Sequence, residues 1–136
     1  MFIAVFGSVQ GQEFMLNDLK INARLEERGN IKRFYKEVLG AEVGTPEDQS
    51  FKRDYIQFTN EQRLNYLYFD DDSNVATPAE LEKGIWLKIR VDNFDEIVKR
   101  IKNNETEIVR EKLEQGELYF KAPGGLVIRM VRNKGV

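Results

Sequence analysis

Two stretches decide the fold of this chain: Leu19-Lys20-Ile21-Asn22-Ala23-Arg24-Leu25 and, 66 residues later, Ile85-Trp86-Leu87-Lys88-Ile89-Arg90-Val91. In each, apolar side chains occupy every second position and polar or bulky ones the positions between. A period of two places the apolar set on one face of a β-strand. Each strand leads into a helix. Ile31, Phe34, Tyr35, Val38 and Leu39 form one stripe at helical spacing; Phe94, Ile97, Val98 and Ile101 form the other. Asn30 is the expected N-cap of the first helix, and Gly40 stands where a C-terminal glycine belongs. Asn93 and Glu96 are spaced as a capping box for the second.

Three strands are expected after each helix. In the first half they fall at about 41–44, 51–59 and 64–70, and in the second at about 106–111, 117–121 and 126–132. Ala122-Pro123-Gly124-Gly125 reads as the last turn. Thr77-Pro78-Ala79-Glu80-Leu81-Glu82 reads as a short helical turn between the halves. The order strand–helix–three strands therefore occurs twice, a patterned internal repeat. The expected organisation is an N-terminal arm or extra strand over 1–14, a first βαβββ module over 15–74, a linker over 75–84 and a second module over 85–136, together one domain. That is an α+β fold of two tandem βαβββ modules forming a curved mixed sheet around a cleft. The arm contains Phe2-Ile3-Ala4-Val5-Phe6 and is expected to pair with a sheet edge, on this chain or a partner.

Composition narrows the chemistry. The chain has 136 residues, enough for one domain with a core of its own. It has neither cysteine nor histidine. Thiolate chemistry, disulfides and a Ser-His-Asp triad are excluded, and acid–base work would fall to Asp, Glu, Lys or Tyr. The net charge of −2 gives no general pull toward nucleic acid or an anionic membrane. The apolar N-terminal run is too short and lacks the basic flank of a signal peptide, so a cytoplasmic protein is expected. Gly7-Ser8-Val9-Gln10-Gly11 matches neither a P-loop nor a dinucleotide fingerprint, and no cofactor is expected. The run Asp70-Asp71-Asp72-Ser73-Asn74 lacks the glycine and closing glutamate of an EF-hand and reads as a solvated turn.

The segment Arg33-Phe34-Tyr35-Lys36-Glu37-Val38-Leu39-Gly40-Ala41-Glu42-Val43 resembles the first helix of the vicinal oxygen chelate superfamily, which includes glyoxalase I, bleomycin-resistance proteins and extradiol dioxygenases. Val91-Asp92-Asn93 resembles the family's entry to the second repeat, and Ala122-Pro123-Gly124-Gly125-Leu126-Val127-Ile128 its closing strand motif. The resemblance runs from about Met15 to Val131. It implies the glyoxalase-like fold, assembled as a dimer or pseudo-dimer, with homodimer the expected state. In metal-dependent members one ligand comes from the first and one from the last strand of each repeat. Those positions correspond here to Lys20, Tyr68 (or Tyr66), Trp86 and Arg129. Lysine and arginine bring positive charge, and tryptophan has no lone pair to give a metal. A member without the family's metal ligands is therefore expected, and metal-dependent glyoxalase or dioxygenase activity is disfavoured.

The same alignment puts Lys20, Asn22, Arg24, Tyr68, Trp86, Lys88, Arg90 and Arg129 on the cleft face as candidate ligand-binding residues. The cations among them need counter-charge, from a small anionic ligand or from carboxylates such as Asp54, Glu61 and Glu117. Trp86 and the tyrosines offer surfaces for an aromatic group. The reading placed first is a metal-independent small-molecule-binding protein with a cationic cleft. The alternatives are a non-catalytic interaction or structural domain, and a metal-free enzyme of the glyoxalase-like family (lyase, isomerase or transferase) whose base would be Tyr66, Tyr68 or Lys20 with a lowered pKa. Neither nucleic acid nor membrane is an expected partner.

Overall fold

The computed structural model describes residues 18–47, 52–59 and 62–134. The expected N-terminal arm lies outside the described residues. Among the described residues eight strands form two four-stranded sheets. The first sheet contains β1 (Asp18–Arg24), β2 (Glu42–Gly44), β3 (Arg53–Gln57) and β4 (Arg63–Phe69) in the order β1-β4-β3-β2. The second contains β5 (Trp86–Val91), β6 (Ile108–Lys112), β7 (Glu117–Lys121) and β8 (Val127–Arg132) in the equivalent order β5-β8-β7-β6. In each, the first and last strands run parallel and the remaining pairs antiparallel. The strand pattern expected from the repeat is thus present twice. The sheets stay separate and do not merge into one curved sheet.

Helix α1 (Arg28–Arg33) is preceded by a 3-10 turn and continues through a π-helical turn, Phe34–Val38, closed by Leu39 N–H donating to Phe34 O at 3.1 Å. It begins earlier than expected, so Asn30 lies inside it rather than at its cap. Gly40 does end it, at φ 76°, a conformation glycine adopts without steric cost. Helix α2 (Pro78–Gly84) occupies the connection between the halves and carries the chain's true capping box: Glu80 N–H donates to Thr77 Oγ1, and Thr77 N–H to Glu80 Oε1. Helix α3 (Phe94–Asn103) starts after Asn93, but the Asn93 side chain makes no cap hydrogen bond, so the box expected from Asn93 and Glu96 does not form. With φ −99° and ψ 52°, the Asn93 backbone is outside the extended conformation an N-cap usually takes.

Adjacent residues of α1 reach different sheets. Tyr35 packs on Tyr66 of β4, ring centroids 5.7 Å apart, while Phe34 packs on Phe120 of β7 at 5.9 Å. Ile31, Phe34, Tyr35 and Val38 are all buried, together with Phe94, Ile97, Val98 and Ile101 of α3. Leu64, Tyr66 and Tyr68 from the first sheet and Leu118, Phe120, Ile128 and Met130 from the second join the same core. Both sheets therefore turn one face toward a shared, helix-filled interior. At the β7–β8 turn, Gly125 (φ 98°) lies so close to Pro78 that a Cβ there would sit 3.0 Å from the Pro78 Cα. Glycine is required on both counts.

Asp54 is the only charged side chain fully buried among the described residues. Arg28 donates to both its oxygens at 2.9 Å, and Thr45 Oγ1 donates at 2.6 Å. Burial works to raise the Asp54 pKa, but the hydrogen bonds from Arg28 and Thr45 outweigh it and hold the carboxyl below the usual aspartate range. The pair ties the start of α1 to β3. Arg28→Ala would remove two hydrogen bonds from a buried carboxylate and leave it only Lys32, at 3.9 Å, as a cation, and should cost about 3 kcal/mol in denaturant unfolding. A carboxyl whose folded pKa is depressed stabilises fully above its unfolded value, about 3.9, and loses that contribution as pH falls through the folded value. The acid-unfolding midpoint of Arg28→Ala should accordingly move to higher pH; an unchanged midpoint and unchanged stability would contradict this role. The Tyr35 and Tyr66 hydroxyls share a buried hydrogen bond of 2.7 Å. Tyr66→Phe should cost about 1–3 kcal/mol by leaving Tyr35 Oη unpaired, measurable as a lowered Tm.

Candidate functional site

The register decides which side chains share a face. In the second sheet Lys88 pairs with Arg129, Arg129 with Tyr119, and Tyr119 with Arg110, so these four form one row across the sheet. A neighbouring row runs Arg90, Val131, Glu117, Lys112, and Trp86 stands opposite Val127. All lie on the face turned away from the shared core. Trp86 is 53% exposed, although it is the largest side chain in the protein. The Arg129 guanidinium lies 5.9 Å from the Trp86 ring and 5.8 Å from the Tyr119 ring, and its Nη2 donates to Glu117 at 2.7 Å. The Arg129 hydrogen bond holds the Glu117 carboxyl below its ordinary range. Lys88, Arg90, Arg110 and Lys112 form no ion pair among the described residues, and all four are exposed. The outer face of this sheet is thus a cationic surface with two aromatic rings and one acidic side chain.

The corresponding face of the first sheet carries Lys20, Asn22 and Arg24 of β1, beside Asn65, Leu67 and Phe69 of β4. Here the chain supplies its own counter-charge. Arg24 donates to Asp72 at 2.6 Å, and Asn22 Nδ2 donates to the Asn74 carbonyl at 2.7 Å. The acidic run is an exposed turn that folds back on the end of this sheet, with Ser73 N–H bound to Asp71 Oδ1 at 2.9 Å. Lys20 is exposed and has no ion pair among the described residues.

Tyr66 and Tyr68 are not on this face. They alternate with Asn65 and Leu67, and both point into the core, where their rings stack 6.4 Å apart. Burial raises the pKa of each hydroxyl, and for Tyr68 the neighbouring Asp54 raises it further. A base role of the kind expected for either tyrosine calls for a lowered pKa, whereas burial works in the opposite direction here. Their placement was hidden because the second half of β4 is apolar or aromatic on both faces: Tyr66 and Tyr68 on one, Leu67 and Phe69 on the other. Reading the sequence also passed over Tyr119, Arg110 and Lys112. Their strand membership was visible, but their place beside Arg129 follows only from the β6–β7–β8 register.

The metal that the resemblance implies does not fit these residues. Lys20, Trp86 and Arg129 hold three of the four positions the resemblance implies, and Asn65 or Leu67 takes the place given to Tyr68. Among the described residues no three His, Cys, Asp or Glu side chains come together as a metal site. The chemistry within reach is recognition: guanidinium and ammonium groups for an anion, rings for stacking.

A groove of about 760 Å³ opens between the two halves and shares Lys88 and Arg90 with the cationic face. Its walls include Leu19 and Leu64 from the first sheet, Leu39 and Ala41 from the end of α1, and Leu87, Ile89 and Val91 from β5.

No helix among the described residues is long and apolar enough to cross a membrane. No family model and no curated protein matches the sequence. Solved structures do match. A putative glyoxalase family protein from Bacillus anthracis superposes with a TM-score of 0.69 at 17% identity, covering 93% of this chain and 100% of its own. An antibiotic binding protein from Streptomyces sp. CB03234 gives 0.63 at 15% identity, covering 90% and 98%. A virulence protein from Salmonella typhimurium gives 0.63 at 20% identity, covering 89% and 98%. With its twice-repeated βαβββ order and two four-stranded mixed sheets, the chain has a glyoxalase-like fold.

Proposed function

We propose that this protein binds a small planar anion, without a metal, on the outer face of its second sheet. The observation that carries the reading is the half-exposed Trp86 ring beside Arg129, on a face where Lys88, Arg90, Arg110 and Lys112 form no close ion pair among the described residues and Glu117 is bonded to Arg129. A large aromatic surface left in water costs free energy that stacking on a ligand would recover. Arg129 can exchange its bond to Glu117 for one to a ligand carboxylate or phosphate. The shared fold with an antibiotic binding protein supports a binding role.

Both sheets give their inner faces to one core, so the outer faces look away from it. Within one chain, Lys20, Asn22 and Arg24 are thus on a different surface from Trp86, Lys88, Arg90 and Arg129. A homodimer that sets the first sheet of one copy beside the second sheet of the other would enclose a cleft from both sets. This assembly is part of the proposal, and sedimentation at micromolar concentration tests it: a monomer throughout would remove Lys20, Asn22 and Arg24 from the site.

Trp86 is the chain's single tryptophan, so its fluorescence reports directly on this face. Titration with a panel of aromatic carboxylates and phosphates should quench it saturably, and chelator should leave the affinity unchanged. Arg129→Ala should weaken binding about 10- to 100-fold, the size of a lost charged hydrogen bond. Glu117→Gln, which frees Arg129 of its carboxylate, should tighten it. An absence of quenching across the panel, with no thermal stabilisation, would favour an interaction or structural domain instead.

A further inference from the structure

The outer face of the first sheet already holds a carboxylate, and holds it incompletely. Asn22 and Arg24 are two apart on β1 and so share that face. Asp72, in the exposed turn after β4, accepts from Arg24 Nη1 at 2.6 Å, and Asn74 O accepts from Asn22 Nδ2 at 2.7 Å. Beside these bonds, Arg24 Nε and Asn22 Oδ1 are buried with no hydrogen-bond partner among the described residues. Arg24 Nη2 lies 3.8 Å from Glu26 Oε1, beyond hydrogen-bond distance. The turn thus engages one corner of the guanidinium and leaves idle the fork formed by Nε and Nη2. Elsewhere the chain shows that fork in use: Arg28 donates through Nε and Nη2 to both oxygens of Asp54 at 2.9 Å.

We propose that Arg24 and Asn22 form a binding subsite for a carboxylate or phosphate group, and that the turn 70–74 is its built-in competitor, with Asp72 standing in for the ligand's anionic group. The competitor is weak. Asp72 is 83% exposed, and an exposed ion pair returns less than buried, unpaired polar atoms cost. A free carboxylate or phosphate set against Nε and Nη2 makes two parallel bonds where Asp72 makes one. Lifting the turn also releases Asn22 Nδ2 from Asn74 O, which supplies a further donor on the same face. The inference holds for a single chain. It shares Arg24 and Asn22 with the assembly proposed above, but depends neither on that assembly nor on the outer face of the second sheet.

Nuclear magnetic resonance on the isotope-labelled chain tests this. Inorganic phosphate and, separately, acetate are titrated at an ionic strength held constant with chloride. The Arg24 Nε–H and Asn22 Nδ2 amide signals should shift saturably with at least one of them; a response to phosphate alone names a phosphate ligand, and a response to both admits carboxylates. Asp72→Asn removes the competing charge at an exposed position and should tighten binding by up to about fivefold, the worth of an exposed ion pair. Arg24→Gln should abolish the saturable shift at Asn22. Trp86 fluorescence, read in the same samples, reports the second sheet, so failure there and failure here are told apart. Unchanged affinity in Asp72→Asn, an equal response in Arg24→Gln, or shifts that follow ionic strength alone would each overturn the proposal and leave Asp72 a surface ion pair only.

Discussion

The structure depends on one wedge of side chains. Each sheet has an apolar face that must leave water, and α1 lies where both can reach it. Phe34 meets Phe120 of the second sheet, and the next residue, Tyr35, meets Tyr66 of the first. The π-helical turn belongs to this arrangement, since within it Phe34, Tyr35 and Val38 are all buried. A helix serving only one sheet would need a narrower stripe. Because the wedge draws both sheets to the same interior, their other faces are left outside the core. The location of the candidate site is thus a consequence of how the core is filled.

The two outer faces then differ by charge pairing. The first sheet meets its own acidic turn, where Asp72 is mostly exposed and its bond to Arg24 adds little stability. The second sheet has only Glu117 set against Arg129 on a face with four further cations. The contrast with Asp54 is instructive. That carboxylate is fully buried, bound by Arg28 and Thr45, and serves to hold α1 on β3. A buried pair with its hydrogen bonds made is a structural tie, whereas a cation exposed beside an aromatic ring remains available to a ligand.

Strand alternation in 19–25 and 85–91, the two helix stripes and Gly40 were legible in the sequence because each is a local periodic or steric signal. The capping devices were less so. Asn93 and Glu96 have the spacing of a box that does not form, while Thr77 and Glu80 form one in a segment read only as a helical turn. A cap depends on the backbone angles of the capping residue as well as on its type.

The sequence by itself determined the twofold βαβββ order and, through the absence of cysteine and histidine, the chemistries the chain must do without. These are properties of composition and of neighbours along the chain. Tertiary structure alone decided that Tyr66 and Tyr68 belong to the core, that Tyr119, Arg110 and Lys112 stand with Arg129, and that the two sheets share an interior while remaining separate. Strand register and sheet packing are set by contacts between residues distant in sequence, and a run such as 66–69, apolar or aromatic at every position, carries no local sign of which side faces in.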